Sequence, residues 1–222
     1  HSFPTRRSSD LDVITARKEK YATPAALPEV TPSKMDDDLY RRDFTINAMA
    51  IRLDGAHRGE LLDLYQGREA LSNQEIAILH PNSFMDDPTR IFRAARYAGR
   101  LGFSLSARTK ESLRQSLSFI GVLSPDRVRH EFEKLLGERL PAPMLELLQD
   151  WHVLNAVSPL LCWSDQQRLA LTCLDGLRST LPGSDAQSES SLDSLRLALW
   201  LSNLQDPNHR SEEHTSELQS RS

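Results

Sequence analysis

The chain has 222 residues, of which 39% are hydrophobic and 26% charged, with a formal net charge of −4. That is enough apolar material for one or two packed cores, and too acidic a balance for RNA binding unless cations are concentrated locally. No apolar run approaches the roughly 20 residues that span a bilayer, and Cys162 and Cys173 lack the spacing of zinc ligands, so they read as reduced cysteines.

Both ends read as foreign to the rest. Residues 1–11, ending Arg-Arg-Ser-Ser-Asp-Leu, and residues 210–222, opening Arg-Ser-Glu-Glu-His-Thr-Ser-Glu-Leu, resemble in-frame translations of the two partner adapters used in short-read DNA sequencing. The expectation is a fragment whose native part is 12–209. The ends carry four basic residues (Arg6, Arg7, Arg210, Arg221) and four acidic ones (Asp10, Glu212, Glu213, Glu217), so 12–209 keeps the charge of −4.

Along the chain, Asp12 to Ala16 alternates like a short strand. Pro24, Pro28 and Pro32 exclude regular helix through 22–32. Ser33, three before Asp36, reads as a capping-box start of a short acidic helix running to about Tyr40. The β-branched and apolar stretch Phe44 to Leu53, closed by Asp54-Gly55, predicts a strand, as do Leu61 to Tyr65 and Glu75 to Leu79, with Gly67 as punctuation. Beyond residue 83 the period becomes helical. Asp87-Pro88 offers a cap and an N-terminal proline for a helix closed by Gly102. Further helices are predicted over Thr109 to Ile120, from Ser124-Pro125 to Gly137, over Pro143 to Trp151 and over Asp165 to Thr180, with a polar linker at 181–191. The fold class is α+β: a mixed sheet with helices over 12–82, then helical segments over 83–140 and 141–209.

Two segments carry chemistry. On a helix beginning near Asp87, Arg90, Arg93, Arg96 and Arg100 fall within one third of the circumference, while Ile91, Ala95 and Ala98 lie opposite, so one face is cationic and the other packs. A solvated face of ordinary ion pairs is the competing account of that stripe. The second segment is Asp38-Leu-Tyr-Arg-Arg-Asp-Phe-Thr-Ile-Asn-Ala-Met-Ala50, where a salt-bridged turn pairing Asp43 with a neighbouring arginine competes with a ligand-binding role. The run Asp36-Asp37-Asp38 before it reads as a solvated acidic face. The scattered histidines, His57, His80, His130 and His152, lack ligand spacing. Trp151, Trp163 and Trp200 read as core.

The Arg-Arg-Asp segment and Asp86-Asp-Pro-Thr-Arg-Ile-Phe-Arg-Ala-Ala-Arg-Tyr97 together resemble class II tRNA nucleotidyltransferases and the related bacterial poly(A) polymerases, and Asp12-Val-Ile-Thr-Ala-Arg17 resembles the head strand that carries that family's third acidic residue. The resemblance covers roughly 12–160. It implies a partial nucleotidyltransferase head, a helical neck over 83–140 and the start of a helical body over 141–209. It implies tRNA, CTP and ATP as partners, a cytoplasmic location and Mg2+ in the full-length parent. Arg42 is similar to the family's nucleotide-contacting arginine, with Arg41, Asp43 and Asn47 supporting it. Asp87 and Arg90 correspond to the pair that reads the incoming base, one accepting and the other donating, and Arg93 and Arg96 remain for phosphates. Asp86 stands where the family has glutamate. Asp12 is the catalytic and metal-ligating candidate, but its Asp-x-Asp partners do not occur after a Gly-rich turn anywhere in 12–209, so the fragment is expected to be inactive. Complete CCA addition, CC-only and A-only addition, poly(A) synthesis, and a non-catalytic RNA-binding derivative all share these motifs.

Overall fold

The structure is a computed structural model that describes residues 13–180, 195–198 and 200–201. Asp12, the linker read at 181–191 and both adapter-like ends therefore lie outside the described residues. No helix among the described residues is long and apolar enough to cross a membrane.

The N-terminal part is built from short ladders. β1 (Arg17–Lys20) pairs antiparallel with β2 (Glu29–Pro32), and α1 (Met35–Tyr40) follows. The strand predicted to end at Ala16 instead begins at Arg17: residues 13–16 find no strand partner, and Val13 stays 88% exposed. The prolines do exclude helix, yet Pro32 closes β2, tolerable on a short edge strand where no ladder donor is required of it. Ser33 donates its hydroxyl to the Asp37 carboxylate rather than capping the backbone of α1.

The long strand expected over Phe44 to Leu53 does not form. Thr45–Asn47 is a 3₁₀ turn, followed by the two-residue β3 (Ala50–Ile51), which pairs with β4 (Leu61–Leu62). The cause is local. The Asp43 carboxylate accepts the Phe44 N–H and the Asn47 amide, each at 2.9 Å, and this Asx-type closure outcompetes the β preference of Thr45 and Ile46. Gly67 likewise opens a helix rather than breaking the chain: α2 (Gly67–Ser72) is capped by Asp63, which accepts the N–H groups of Gly67 at 2.7 Å and Arg68 at 3.0 Å. β5 is only Glu75–Ile76, and it pairs in parallel with β6 (Ser104–Leu105) across a helical crossover. Among the described residues the mixed sheet structure of this part consists of three two-stranded ladders, two antiparallel and one parallel.

The helical part follows the sequence more faithfully. After the short α3 (Ser83–Asp86), α4 (Thr89–Leu101) ends at Gly102, whose φ of +68° is the left-handed closure expected of it. α5 (Ala107–Ser116) starts two residues earlier than predicted because Ser106 caps it, and it continues as a 3₁₀ segment, Leu117–Val122. α6 (Pro125–Leu136) has Ser124 as cap and proline in its first turn, as read. α7 (Ala142–Asp150), α8 (Val153–Val157) and α9 (Asp165–Thr180) follow, and the described residues 195–198 and 200–201 are also helical.

α4 is the axis of the molecule. Ile91, Phe92, Ala94 and Ala95 are fully buried, and the helix packs on α6 and α7. Trp163 and Trp200 join the same core, with the Trp200 ring 4.6 Å from that of Phe132. Buried Arg196 donates to the main-chain oxygens of Leu136 and Glu138, placing a cation where α6 exposes its last carbonyls.

α4 and α7 approach closely at Gly99, where a Cβ would lie 2.6 Å from the Met144 Cγ and 3.3 Å from its backbone nitrogen. Gly99→Ala is expected to destabilise the chain, because overpacking costs about 1–3 kcal/mol against a helix-propensity gain of about 1. Gly121→Ala, where a Cβ meets nothing within 4 Å, should leave stability nearly unchanged. Urea midpoints measure both, and equal midpoints for the two variants would contradict this packing.

Candidate functional site: a charged cleft between the Arg-Arg-Asp turn and helices α4 and α6

The first wall of the site is made by α1 and the turn after it. Asp38, Arg41 and Arg42 are spaced i, i+3 and i+4, so they share one face. Asp38 is only 5% exposed, which corrects its reading as part of a solvated run; Asp36 and Asp37 are the exposed members. Its Oδ1 accepts the Arg17 N–H at 3.1 Å and Arg41 Nε and Nη2 at 3.0 and 2.8 Å, and its Oδ2 accepts Arg42 Nη2 at 2.8 Å. Burial alone would raise this carboxyl, but hydrogen bonds from Arg42 and Arg41 hold it below the usual carboxylate range. Arg41 also reaches Glu19 at 3.1 Å, and Glu19 accepts the Tyr21 hydroxyl.

The second wall is α4. Asp43 does not pair with an adjacent arginine as the salt-bridged-turn account has it; its Oδ2 accepts Nε and Nη2 of Arg93, fifty residues on. Burial pushes Asp43 up, and the Arg93 charge, aided by Asn47 and the Phe44 N–H, brings it net below its ordinary value. Arg93 is correspondingly raised: burial works against it, and Asp43 outweighs burial. The arginine stripe on α4 exists, with Ile91, Ala95 and Ala98 buried as expected. Its members are nonetheless paired within the protein. Arg96 and Arg100 share the Glu138 carboxylate at 3.1 and 3.5 Å, so Arg93 and Arg96, read as phosphate-binding, each hold a carboxylate partner within the protein.

Arg90 is 5% exposed, and its terminal nitrogens are committed to the wall. Nη1 donates to Ser83 Oγ at 2.8 Å, and Nη2 donates to the main-chain oxygen of Arg41 at 2.9 Å and, weakly, to the Tyr21 hydroxyl at 3.5 Å. Burial drives the Tyr21 phenol up to about 12. Asp87 carries its load on one oxygen. Oδ1 accepts the Thr89 N–H at 3.1 Å, the Thr89 hydroxyl at 2.6 Å and Arg127 Nη2 at 2.9 Å, whereas Oδ2 makes no hydrogen bond among the described residues. One carboxylate thus caps α4 and keeps a second acceptor. Arg127 also donates to the Ala25 main-chain oxygen at 2.6 Å, tying the β1–β2 connection to α6. Asp86 faces away, 3.9 Å from His80; burial raises it, with Arg90 opposing and Asp87 adding to the rise.

These walls enclose a cleft of about 600 Å³ that brings together Arg41, Arg42, Asp43, Asn47, Asp87, Arg90 and Arg93. Arg96 and Asp86 do not line it, and Asp12 lies outside the described residues. Sequence reasoning missed Asp38, Glu19, Tyr21, Arg127, Glu131 and Lys134. The last three sit on α6 at i, i+4 and i+7, one helical face, which was a readable signal; the spacing of Asp38 from Arg41 and Arg42 was another, whereas nothing in Lys18-Glu-Lys-Tyr21 announced Glu19 or Tyr21. No group of three or more His, Cys, Asp or Glu side chains among the described residues is placed to hold a metal ion, so the described donor set does not by itself fit a two-metal centre.

Residues 3–77 match the family described as "Poly A polymerase head domain", a match that starts inside the first adapter-like end, and residues 102–163 match "Probable RNA and SrmB- binding site of polymerase A". The A-adding tRNA nucleotidyltransferase of Halalkalibacterium halodurans is 42% identical over 154 residues, 66% of this chain and 35% of the relative. That of Aquifex aeolicus is 40% identical over 159 residues, 70% of this chain and 19% of the relative. The chain belongs to the tRNA nucleotidyltransferase and poly(A) polymerase family. Among solved structures, a CCA-adding enzyme in an apo form superposes with a TM-score of 0.75 at 30% identity, covering 90% of this chain and 47% of that one. A tRNA nucleotidyltransferase complexed with a primer tRNA and an incoming ATP analogue gives 0.67 at 34%, covering 82% and 55%. These neighbours have the expected fold, a nucleotidyltransferase head followed by helices. The chain spans about a third or less of the two curated relatives.

His80 backs the Asp86 side of the site against the Tyr40 ring at 5.2 Å, and burial, with Arg90 and Arg108 nearby, pushes it down to about 4. An unfolded histidine titrates near 6.5, so between about pH 6.5 and 4 the unfolded chain binds the proton first and stability falls with pH. His80→Gln is expected to flatten that decline in urea midpoints. An unchanged slope would show that His80 is not held neutral.

Proposed function

We propose that this chain is the nucleotide-selecting part of a tRNA nucleotidyltransferase that helps build the CCA 3′ end of tRNA, with a cleft suited to the bases of ATP and CTP, and that its parent adds the terminal A from ATP. The observation that carries the reading is Asp87: an anion fixed by Arg127 and Thr89, with one oxygen that makes no hydrogen bond among the described residues, in a cationic cleft that contains Arg42 and Arg90. A carboxylate oxygen accepts only, so it takes a hydrogen from an exocyclic amine; adenine and cytosine carry an unprotonated ring nitrogen beside that amine on their pairing edge, whereas guanine carries a ring N–H there and uracil has no amine. Beside it, the weak Arg90 to Tyr21 bond leaves an Nη2 hydrogen that a ring nitrogen or carbonyl can take instead. Arg42 then meets the phosphates, with Asn47 and Arg41 supporting it. Arg93 acts through Asp43 rather than directly, and Arg96 acts on the outer face with Glu138.

A addition is preferred over CC addition because the two relatives at 42% and 40% identity are named as A-adding enzymes. The tRNA and ATP partners have their counterpart in the solved neighbour bound to a primer tRNA and an ATP analogue. The reaction, attack of a 3′ hydroxyl on the α-phosphorus with pyrophosphate leaving, draws on a divalent metal in this family. We take that metal to be magnesium in the parent, with Asp12 as one ligand. Because the described residues carry no metal-holding group, the chain as it stands is expected to bind triphosphates without transferring them.

Equilibrium dialysis with each triphosphate tests the reading. ATP and CTP should bind more tightly than GTP and UTP, and Asp87→Ala should bring the four within about threefold of one another, since a single carboxylate acceptor contributes roughly 1–3 kcal/mol of discrimination. Equal binding of all four by the unmutated chain would sink the base-reading role. Incorporation of label into tRNA lacking its terminal A would contradict the expected inactivity.

A further inference from the structure

The family resemblance puts a nucleotide contact on Arg42 but says nothing of what aims it. An arginine carries several rotatable bonds, and an unrestrained one gives up that freedom when it meets a phosphate, which weakens binding. In this chain the freedom is already removed. Arg42 Nη2 donates to Asp38 Oδ2 at 2.8 Å, and Arg42 Nε donates to the Asp38 main-chain oxygen at 3.3 Å, so one edge of the guanidinium is gripped by a single residue. Nη1 makes no hydrogen bond among the described residues, and the side chain keeps 30% of its surface exposed. Asp38 is itself immobilised: α1 carries it, the Arg17 N–H fixes its Oδ1, and Arg41 braces the same oxygen with two bonds.

The place where Arg42 is held matters. It lines the 600 Å³ cleft and also an adjoining groove of 230 Å³, whose walls include Ile14, Thr15 and Ala16. Arg42, Asn47 and Met49 are common to both, so they form the junction between the two. A ligand with its base at Asp87 and a polyphosphate running toward the groove passes this junction.

We propose that Asp38 is a positioning residue for polyphosphate recognition, holding the Nε and Nη2 edge of Arg42 so that Nη1 meets the phosphates at the junction of cleft and groove. The proposal rests on the nucleotide-binding reading of the cleft. Asp38 touches no ligand in this scheme; it sets the geometry and charge of the residue that does. Its depressed titration means that the grip persists throughout the neutral range.

The experiment is a binding cycle on the whole chain with ATP, and with adenosine as the arm that lacks phosphates. Asp38→Asn keeps the shape but loses the anion, and should weaken ATP about tenfold, the scale of one charge-assisted hydrogen bond, while adenosine changes less than twofold. In an Arg42→Ala background the same substitution should have no further effect on ATP. Side-chain amide-type NMR gives a reading that does not need ligand: the Arg42 Nε–H signal should be sharp and slowly exchanging in the unmutated chain and lost in Asp38→Asn. If Asp38→Asn fails to fold, Asp38→Glu keeps the charge at a different reach, and its smaller ATP loss should also vanish without Arg42. Equal losses for ATP and adenosine, a full Asp38 effect without Arg42, or an Arg42 signal unmoved by Asp38→Asn would each overturn the proposal. If the unmutated chain binds neither ATP nor adenosine, the nucleotide reading of the cleft fails, and the Arg42 signal alone decides whether Asp38 aims it.

Discussion

The buried pair between Asp43 and Arg93 is the constraint on which the rest of the structure depends. It joins a turn in the ladder-built part to the central helix of the helical part, across fifty residues of chain. A buried pair is stabilising only when geometry and hydrogen bonding repay the desolvation of both charges. Here they do: two arginine nitrogens meet one oxygen of Asp43, and the other oxygen is satisfied by the Phe44 N–H and Asn47. The same two bonds from Phe44 and Asn47 create the 3₁₀ turn, so one carboxylate shapes its own segment and anchors it to α4. Arg90, one turn earlier on α4, repeats the tie by donating to the Arg41 carbonyl. The cleft is the space left between surfaces that these ties hold at a fixed separation.

Its electrostatics follow from the same economy. A chain of charge −4 concentrates Arg41, Arg42, Arg90, Arg93 and Lys134 around one hollow, and then assigns each of these cations a partner in the protein. The pairing lowers the cost of gathering like charges and fixes directions. What remains for a ligand is selective: one oxygen of Asp87, one edge of Arg42 and a weakly used hydrogen of Arg90. A site of this kind recognises a base and a polyphosphate by preset donors and acceptors rather than by bulk positive charge.

Much of this was legible in the sequence, and the parts that were not fail for physical reasons. The helical half was readable because caps, proline and glycine mark its ends: Ser124-Pro125 and Gly102 act as read. The ladders were overestimated because Thr45 and Ile46 look like strand residues, while the decisive contact, Asp43 with Asn47 and the backbone, is an Asx closure that competes with β structure. Arg41, Arg42, Asp43 and Asn47 from the first motif and Asp87 and Arg90 from the second line one cleft while Asp86 does not, which spacing alone could not establish. Their partners were the harder problem. Asp38 sits at i−3 and i−4 from two arginines, a local signal that its two acidic neighbours masked, whereas the Asp43 to Arg93 and Arg127 to Asp87 bonds are long-range and leave no periodic trace.

The central claim is that the Asp43–Arg93 pair holds the Arg-Arg-Asp turn against α4. A double-mutant cycle on unfolding free energy tests it most directly, with Asp43→Asn, Arg93→Met and the two combined. Each single change leaves a buried partner unmatched, so the account expects about 3 kcal/mol or more lost in each, with the double variant less damaged than the sum by about 2 kcal/mol or more. Losses that add to within about 0.5 kcal/mol would show that the two residues act independently, and that the cleft is held together by something else.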